Sequence, residues 1–413
     1  MPALEPEPMS PPPAHARAHW LTRERLFLYS GAALIIYVVS AAIIIARLHG
    51  GVDGNGNPVG CDFVTFWGAS HLALSGDPVA AYDLKALFEA EKLAIPGSGF
   101  QAQSPWQYPP MFLLALLPLA LLPYFPALIL FLGASFVAYA WVVRRIVPGP
   151  DTWLPLFGFA GVVMNAGEGQ NGFLTAALAG GALLLLPRAP ARAGLLIGLL
   201  TIKPHLGVLL PLVLLCGRYW GALLWATLTA AAFAALSLML LGMGTAHAFF
   251  AHLPQVAKWV EDGSLPWSKM PTFFAFARLL GAPVVAAYAL HFAVAAAATT
   301  AVAWVWLRGA AYELRAAALV AGTLLVSPYL YDYDLVWLGL AIAWFTVYAL
   351  RRGWRGGERE LLALLWLLPV LVLPLQHVLK VQAAPFAVLL LLLAILRRAR
   401  GERLAGVDGR EWP

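Results

Sequence analysis

Four polar islands interrupt an otherwise apolar chain, and each carries side chains that could do chemistry. The first is Asp62, in Cys61-Asp62-Phe63, just past the first long apolar run. An acid there can take a proton from a hydroxyl. It can also cap the amphipathic helix that Phe63, Phe66, Trp67 and Leu72 outline. The second island, Lys203-Pro204-His205, sits inside an apolar run from 193 to 216. An ammonium at such depth costs at least ~2.5 kcal/mol, so it must face a cavity or a partner. Proline breaks the helix, which would aim Lys203 and His205 into that cavity. A phosphate would satisfy this cation, and so would an ion pair with Glu168.

The third island is Gly167-Glu168-Gly169-Gln170-Asn171-Gly172, between two apolar runs. It reads either as a tight turn or as a set of hydrogen-bonding side chains (Glu168, Gln170 and Asn171) offered to a polar ligand. A Gly-x-Gly-x-x-Gly spacing carries phosphate-loop meaning only between a strand and a helix. The fourth is Ser327-Pro328-Tyr329-Leu330-Tyr331-Asp332-Tyr333-Asp334. Tyr329, Tyr331 and Asp332 could close a site on the same side as Asp62, or form an aromatic belt with solvated charges. Tyr108-Pro109-Pro110 marks the return of the chain to apolar sequence, with proline in the ordinary first-turn position of a helix. Asp77-Pro78 after Ser75-Gly76 reads as a helix cap following a turn.

These islands need elements to hold them, and composition says which kind. The 413 residues are 61% hydrophobic and only 12% charged, about half the charge of a soluble domain, which implies an all-α polytopic integral membrane protein. The net charge of +6 gathers in short arginine clusters such as Arg351, Arg352 and Arg355, or Arg397, Arg398 and Arg400. Such clusters are topology signals, and no nucleic-acid partner is expected. Cys61 and Cys216 are the two cysteines, too far apart in sequence for a metal-ligand motif. Asp53 and Asp62 are separated by a glycine-rich stretch, so no acidic metal cluster stands out and no resident metal or cofactor is expected.

A first span over 26–47 follows Arg23 and Arg25, and its length fits an uncleaved transmembrane helix. Further spans are expected near 221–242, 284–307, 311–330, 335–350, 361–379 and 385–396. Between 108 and 218, prolines and glycines break the apolar sequence into runs, several of them too short for straight crossings, as in helices that line a cavity. An odd number of crossings there gives about twelve in total. The positive-inside rule then puts both termini in the cytoplasm, with loops 48–108 and 244–272 outside. The organisation expected is a tail over 1–22, one transmembrane domain over 23–400 and a second tail over 401–413.

Taken in order, the landmarks resemble a known family. Asp62-Phe-x-x-Phe-Trp-x-Ala-x-x-Leu-Ala-Leu-x-Gly-x-Pro-x-x-x-Tyr82-Asp83 is followed by Tyr108-Pro109-Pro110, Gly169-Gln170-Asn171, Ala193-Gly194, Lys203-Pro204 and Ser327-Pro328. This ordered set is similar to glycosyltransferase family 87, of the GT-C class, which includes polyprenol-phosphate-mannose-dependent α-mannosyltransferases. The resemblance implies a GT-C fold and a multi-pass protein of the cell inner (plasma) membrane, with its site facing outward. It also implies a polyprenyl-phosphate sugar donor, a lipid or glycan acceptor, and inverting transfer. The family's acid after the first span acts as the base, which falls on Asp62 here. Some members carry a histidine after the Ser-Pro, where Tyr329 and Tyr331 stand in this chain. The leaving lipid phosphate calls for a cation, and Lys203 or a divalent ion would serve. The rival expectation is a transporter or flippase, since intramembrane charge and broken helices also mark those proteins.

Overall fold

A chain this apolar satisfies its backbone hydrogen bonds within helices, and helices account for the regular structure throughout. The computed structural model describes residues 19–54, 56–97 and 104–404. The two tails lie mostly outside these residues. The described end of the first is docked, with His19 Nε2 and the Trp20 indole N–H at 2.9 and 3.0 Å from a Glu360 carboxylate oxygen.

The first helix, α1 (Arg23–Ala46), is capped by Thr22 and followed by a short coil. Next come α2 (Phe63–Leu74), α3 (Leu84–Lys92), α4 (Pro110–Leu116), α5 (Tyr124–Ile146), α6 (Trp153–Phe157), α7 (Ala160–Glu168), α8 (Gly172–Leu185) and α9 (Pro190–Leu199). The chain continues through α10 (Leu210–Cys216), α11 (Trp220–Leu241), α12 (Met243–Asp262), α13 (Phe273–Leu279) and α14 (Val284–Leu307). It ends with α15 (Tyr312–Val326), α16 (Leu338–Arg352, entered through a 3₁₀ turn Asp332–Trp337), α17 (Glu358–Leu379) and α18 (Ala384–Leu404). Among the described residues there is no strand, only isolated bridges joining His49 to Val52 and Val52 to Pro58.

Among the described residues, six helical segments are long and apolar enough to cross a membrane: Arg23–Ala46, Tyr124–Ile146, Trp220–Leu241, Val284–Leu307, Asp332–Arg352 and Glu358–Leu379. Shorter apolar segments are Phe63–Leu74, Pro110–Leu121, Gly172–Leu185, Pro190–Ile202 and Pro204–Cys216. The span expected near 311–330 is the shorter α15, buried along almost its whole length, as a helix apolar on every side should be. The stretch 244–272, expected as an outer loop, is largely taken up by the 20-residue α12. Its histidines and Pro254 hid a helix that is amphipathic rather than continuously apolar.

The centre of the bundle is α15 and α16 against α5, α8 and α18, a core rich in alanine, leucine and valine. Small residues let these helices approach. On α9, Gly194 and Gly198 lie one turn apart against α11, where a Cβ would come within 2.4 Å of the Ala222 carbonyl oxygen and 2.5 Å of Thr229 Cβ. A second core of aromatic residues joins α2 to α4 and α5, with Phe63, Phe66, Trp106 and Phe112 buried together. That second core holds the segment carrying Asp62.

Candidate active site

Asp62 ends the coil before α2, and its side chain does not cap that helix. Its backbone N–H donates to the Glu168 carbonyl at 2.9 Å, tying the start of α2 to the end of α7. Gly169 makes the approach possible. It ends α7 in the left-handed region at φ 72°, and a Cβ there would lie 2.9 Å from both Gly60 Cα and Phe63 Cβ. The turn itself is clamped by Asn165, whose amide donates to the Gln170 carbonyl at 3.0 Å and whose oxygen accepts from the Gly172 N–H at 2.8 Å.

The result is a chain of side-chain hydrogen bonds. The Tyr108 hydroxyl donates to Gln170 Oε1 at 3.1 Å, and Gln170 Nε2 donates to Asp62 Oδ2 at 2.8 Å. Gln170 is buried, while Asp62 and Tyr108 are half-buried. Burial and the nearby Glu168 carboxylate push the Asp62 carboxyl up to about 6, with the Gln170 hydrogen bond, Lys269 and Lys203 pulling the other way. A half-buried carboxylate held by one donor and titrating there is suited to accept a proton near neutral pH.

Glu168 points to the same place. Its Oε1 pairs with Lys269 Nζ at 2.7 Å, and its Oε2 accepts from the Cys61 thiol at 3.1 Å. Cys61, Asp62 and Glu168 bring one ligand atom each to within 4.8 Å of one another, a group able to hold a cation. The sequence pattern did not point to this cluster, because Asp62 meets Cys61 and Glu168 there, not Asp53. Lys269 already supplies a positive charge to it. Burial works against that charge, and the Glu168 and Asp332 carboxylates outweigh it, holding the ammonium in its charged form. Asp332 itself is fully buried, accepts from the Tyr333 N–H at 3.0 Å, and has an Oδ2 with no hydrogen-bond donor among the described residues.

Lys203 lies on the inner side of the turn. Its ammonium contacts Asp334 Oδ1 at 2.6 Å and Asn171 Oδ1 at 3.2 Å, over the Tyr333 ring at 4.9 Å. It is 2% exposed. The partner weighed from sequence, Glu168, is taken by Lys269 instead, and Asp334 is the counter-charge. His205 faces Tyr329 edge to face at 5.8 Å, and Tyr329 reaches Gln107 through its hydroxyl. Tyr329 also meets Tyr331, which stacks on Tyr333 at 5.3 Å.

The sequence-derived candidates thus converge. Asp62, Tyr108, Glu168 and Gln170 share one hydrogen-bonded cluster, Asn171 and Lys203 back it, and Tyr329, Tyr331, Asp332 and His205 wall it. Lys269 and Asp334 were not among those candidates. Asp334 stood in the acidic, tyrosine-rich island, and Lys269 in the stretch 244–272 read as an outer loop, where it ends a 3₁₀ turn after α12.

The family model of glycosyltransferase family 87 matches residues 106–328, more than half of the chain. That range contains Tyr108, the 167–172 turn, Lys203 and Lys269, and it stops short of Asp62 and Asp332. No curated relative and no solved structure matches the chain. An all-helical chain with six membrane-length segments and a match of this extent belongs to glycosyltransferase family 87.

Proposed function

We propose that this chain transfers a hexose, with mannose the first candidate, from a polyprenyl-phosphate donor to a hydroxyl of a lipid or glycan acceptor, with inversion. The observation that carries the reading is the Asp62 carboxylate, held by Gln170 beside Lys269. In the step, the acceptor oxygen attacks the anomeric carbon while Asp62 takes the hydroxyl proton. The bond from that carbon to the phosphate oxygen breaks, and the phosphate leaves with the electron pair. The charge growing on it needs a cation in place beforehand. Lys269, half-buried and at the mouth of the cluster, suits that role better than Lys203, whose ammonium is enclosed by Asp334, Asn171 and Tyr333. Lys203 then positions the Gln170–Asn171 turn.

Charge distribution supports an outward-facing site. α5 begins at Tyr124, whose hydroxyl donates to the Gly60 carbonyl at 3.0 Å, and carries Arg144 and Arg145 in its last turn, ~31 Å away at 1.5 Å per residue. α16 likewise runs from the site to Arg351 and Arg352. By the positive-inside rule the arginine end is cytoplasmic and Asp62 lies across the membrane from it. In this reading the remaining crossings of a twelve-span GT-C bundle come from α15, α18 and the shorter apolar helices.

The test is incubation of the purified protein with a labelled polyprenyl-phosphate mannose and a set of hydroxyl acceptors. Inverted product with release of the lipid phosphate is expected, with a rate that rises with pH through about 6 as Asp62 loses its proton. A donor that crosses vesicle membranes with its glycosyl phosphate bond intact would make the protein a transporter.

A further inference from the structure

At the arginine end, far from Asp62, a cavity of about 610 Å³ opens on the side of α5. Its floor is apolar, with Phe136, Val137 and Ala140 on α5 and Phe157 on α6. Its rim is basic. Arg144 lies over the Trp153 ring at 4.7 Å and donates to the Gly149 carbonyl, and Arg145 lies over Trp141 at 5.1 Å. Neither guanidinium has a carboxylate partner among the described residues. Asp151, two residues after Gly149 on the lining, is engaged by Arg23 at 2.6 Å. Trp141, Trp153 and Val137 are exposed, as lipid-facing residues of a helix end would be.

We propose that this groove is a binding site for an anionic phospholipid of the arginine-side leaflet, its phosphate between Arg144 and Arg145 and an acyl chain along Phe136, Val137 and Phe157. Three features argue for it. The two aromatic rings hold the guanidiniums in place, so little side-chain freedom is lost when a phosphate arrives. Arginine presents a fork of N–H donors that matches phosphate oxygens. The apolar floor continues from the basic rim towards the middle of α5, the order in which a phospholipid presents its headgroup and chains. A neutral or zwitterionic lipid would cover the floor but leave two positive charges without a net counter-charge. The groove runs from Phe136 to Arg145 on α5, ~18–32 Å along the helix from Tyr124 at the candidate active site, so its basic rim is separate from a donor phosphate bound there.

The test is native mass spectrometry of the detergent-purified full chain, titrated with phosphatidylglycerol or with phosphatidylcholine of the same acyl chains. The wild-type protein should retain phosphatidylglycerol preferentially. R144Q/R145Q should weaken that retention roughly thirtyfold, each interfacial arginine contributing about a fivefold factor. V137W, which fills the floor and leaves both arginines, should also lose the lipid, so the outcome does not depend on one variant folding. Melting temperatures confirm that each variant tested is folded. Equal retention of the two lipids, or wild-type retention by R144Q/R145Q, would overturn the proposal. So would complete displacement by millimolar inorganic phosphate, which would make the groove a site for free phosphate.

Discussion

Asp62 and Lys203 are both ionisable groups in a chain with few of them, and the fold treats them differently. Lys203 is buried against Asp334, an arrangement stable only while both partners are present. Removing one member of such a pair leaves an uncompensated charge and costs about 3–5 kcal/mol, whereas replacing both by apolar groups is often neutral. K203Q and D334N should therefore each lower the melting temperature sharply, and K203M/D334L should recover most of the loss. Additive losses in that cycle would show that the two side chains do not act as a pair. Lys269 differs, being half-buried and facing the cluster. K269Q should keep the fold while weakening donor binding and slowing transfer, with partial recovery in K269R, which keeps the charge in another shape. Unchanged donor affinity and rate in K269Q would remove Lys269 from the proposed phosphate site. Cys61 illustrates the same local control: burial, with Asp62 and Glu168 beside it, pushes its thiol well above the ordinary range. The thiol is held in its protonated form, so Cys61 is a poor target for thiol reagents even though it sits at the site.

At the scale of elements, the segment after α1 is held by interactions that sequence alone could only partly announce. Asp77 and Asp83 do cap the turns they precede, accepting from the Ala80 and Ala86 N–H groups at 3.1 and 2.8 Å. Asp62, for which a cap was one of two readings, is instead bound by Gln170, 108 residues distant. α3 packs on α2 through a buried Glu91, which accepts from the Thr65 hydroxyl at 2.8 Å and faces Gly68. Burial raises Glu91 from the ordinary 4.5 to about 8, partly offset by the Thr65 hydrogen bond and reinforced by Asp62. The folded protein therefore holds this proton where the unfolded chain has lost it, so stability falls as pH rises from about 4.5 to about 8. E91Q keeps the shape and cannot ionise. Its melting temperature relative to wild type should climb across that window and then level off. A difference that stays constant with pH would mean that Glu91 is already ionised in the fold.

Over the whole molecule, the arginine bias that is visible in sequence and the positions of the helix ends point the same way. With the site end outside, a cysteine introduced at Leu93, exposed after α3, should react with a membrane-impermeant thiol reagent on intact cells. One introduced at Arg352 should react only after the cells are opened. The reverse pattern would invert the orientation. Long helices such as α1, α11 and α14 were legible because a continuous apolar run of that length has few other solutions. α12 was not, since an amphipathic helix with an internal proline carries no such run. Asp62, Gln170 and Lys203 stood out as polar residues in apolar surroundings, but pairing them required contacts 108 and 131 residues apart. The central claim is that Asp62 removes the acceptor proton, and the most direct test is the transfer rate of D62N at saturating donor and acceptor. This variant keeps the side-chain size and an oxygen for Gln170, so it should fold and bind donor as wild type does. It should lose transfer by roughly 10²–10⁴-fold, the usual contribution of a general base. Turnover near the wild-type rate would contradict that claim and leave Asp62 a purely structural residue.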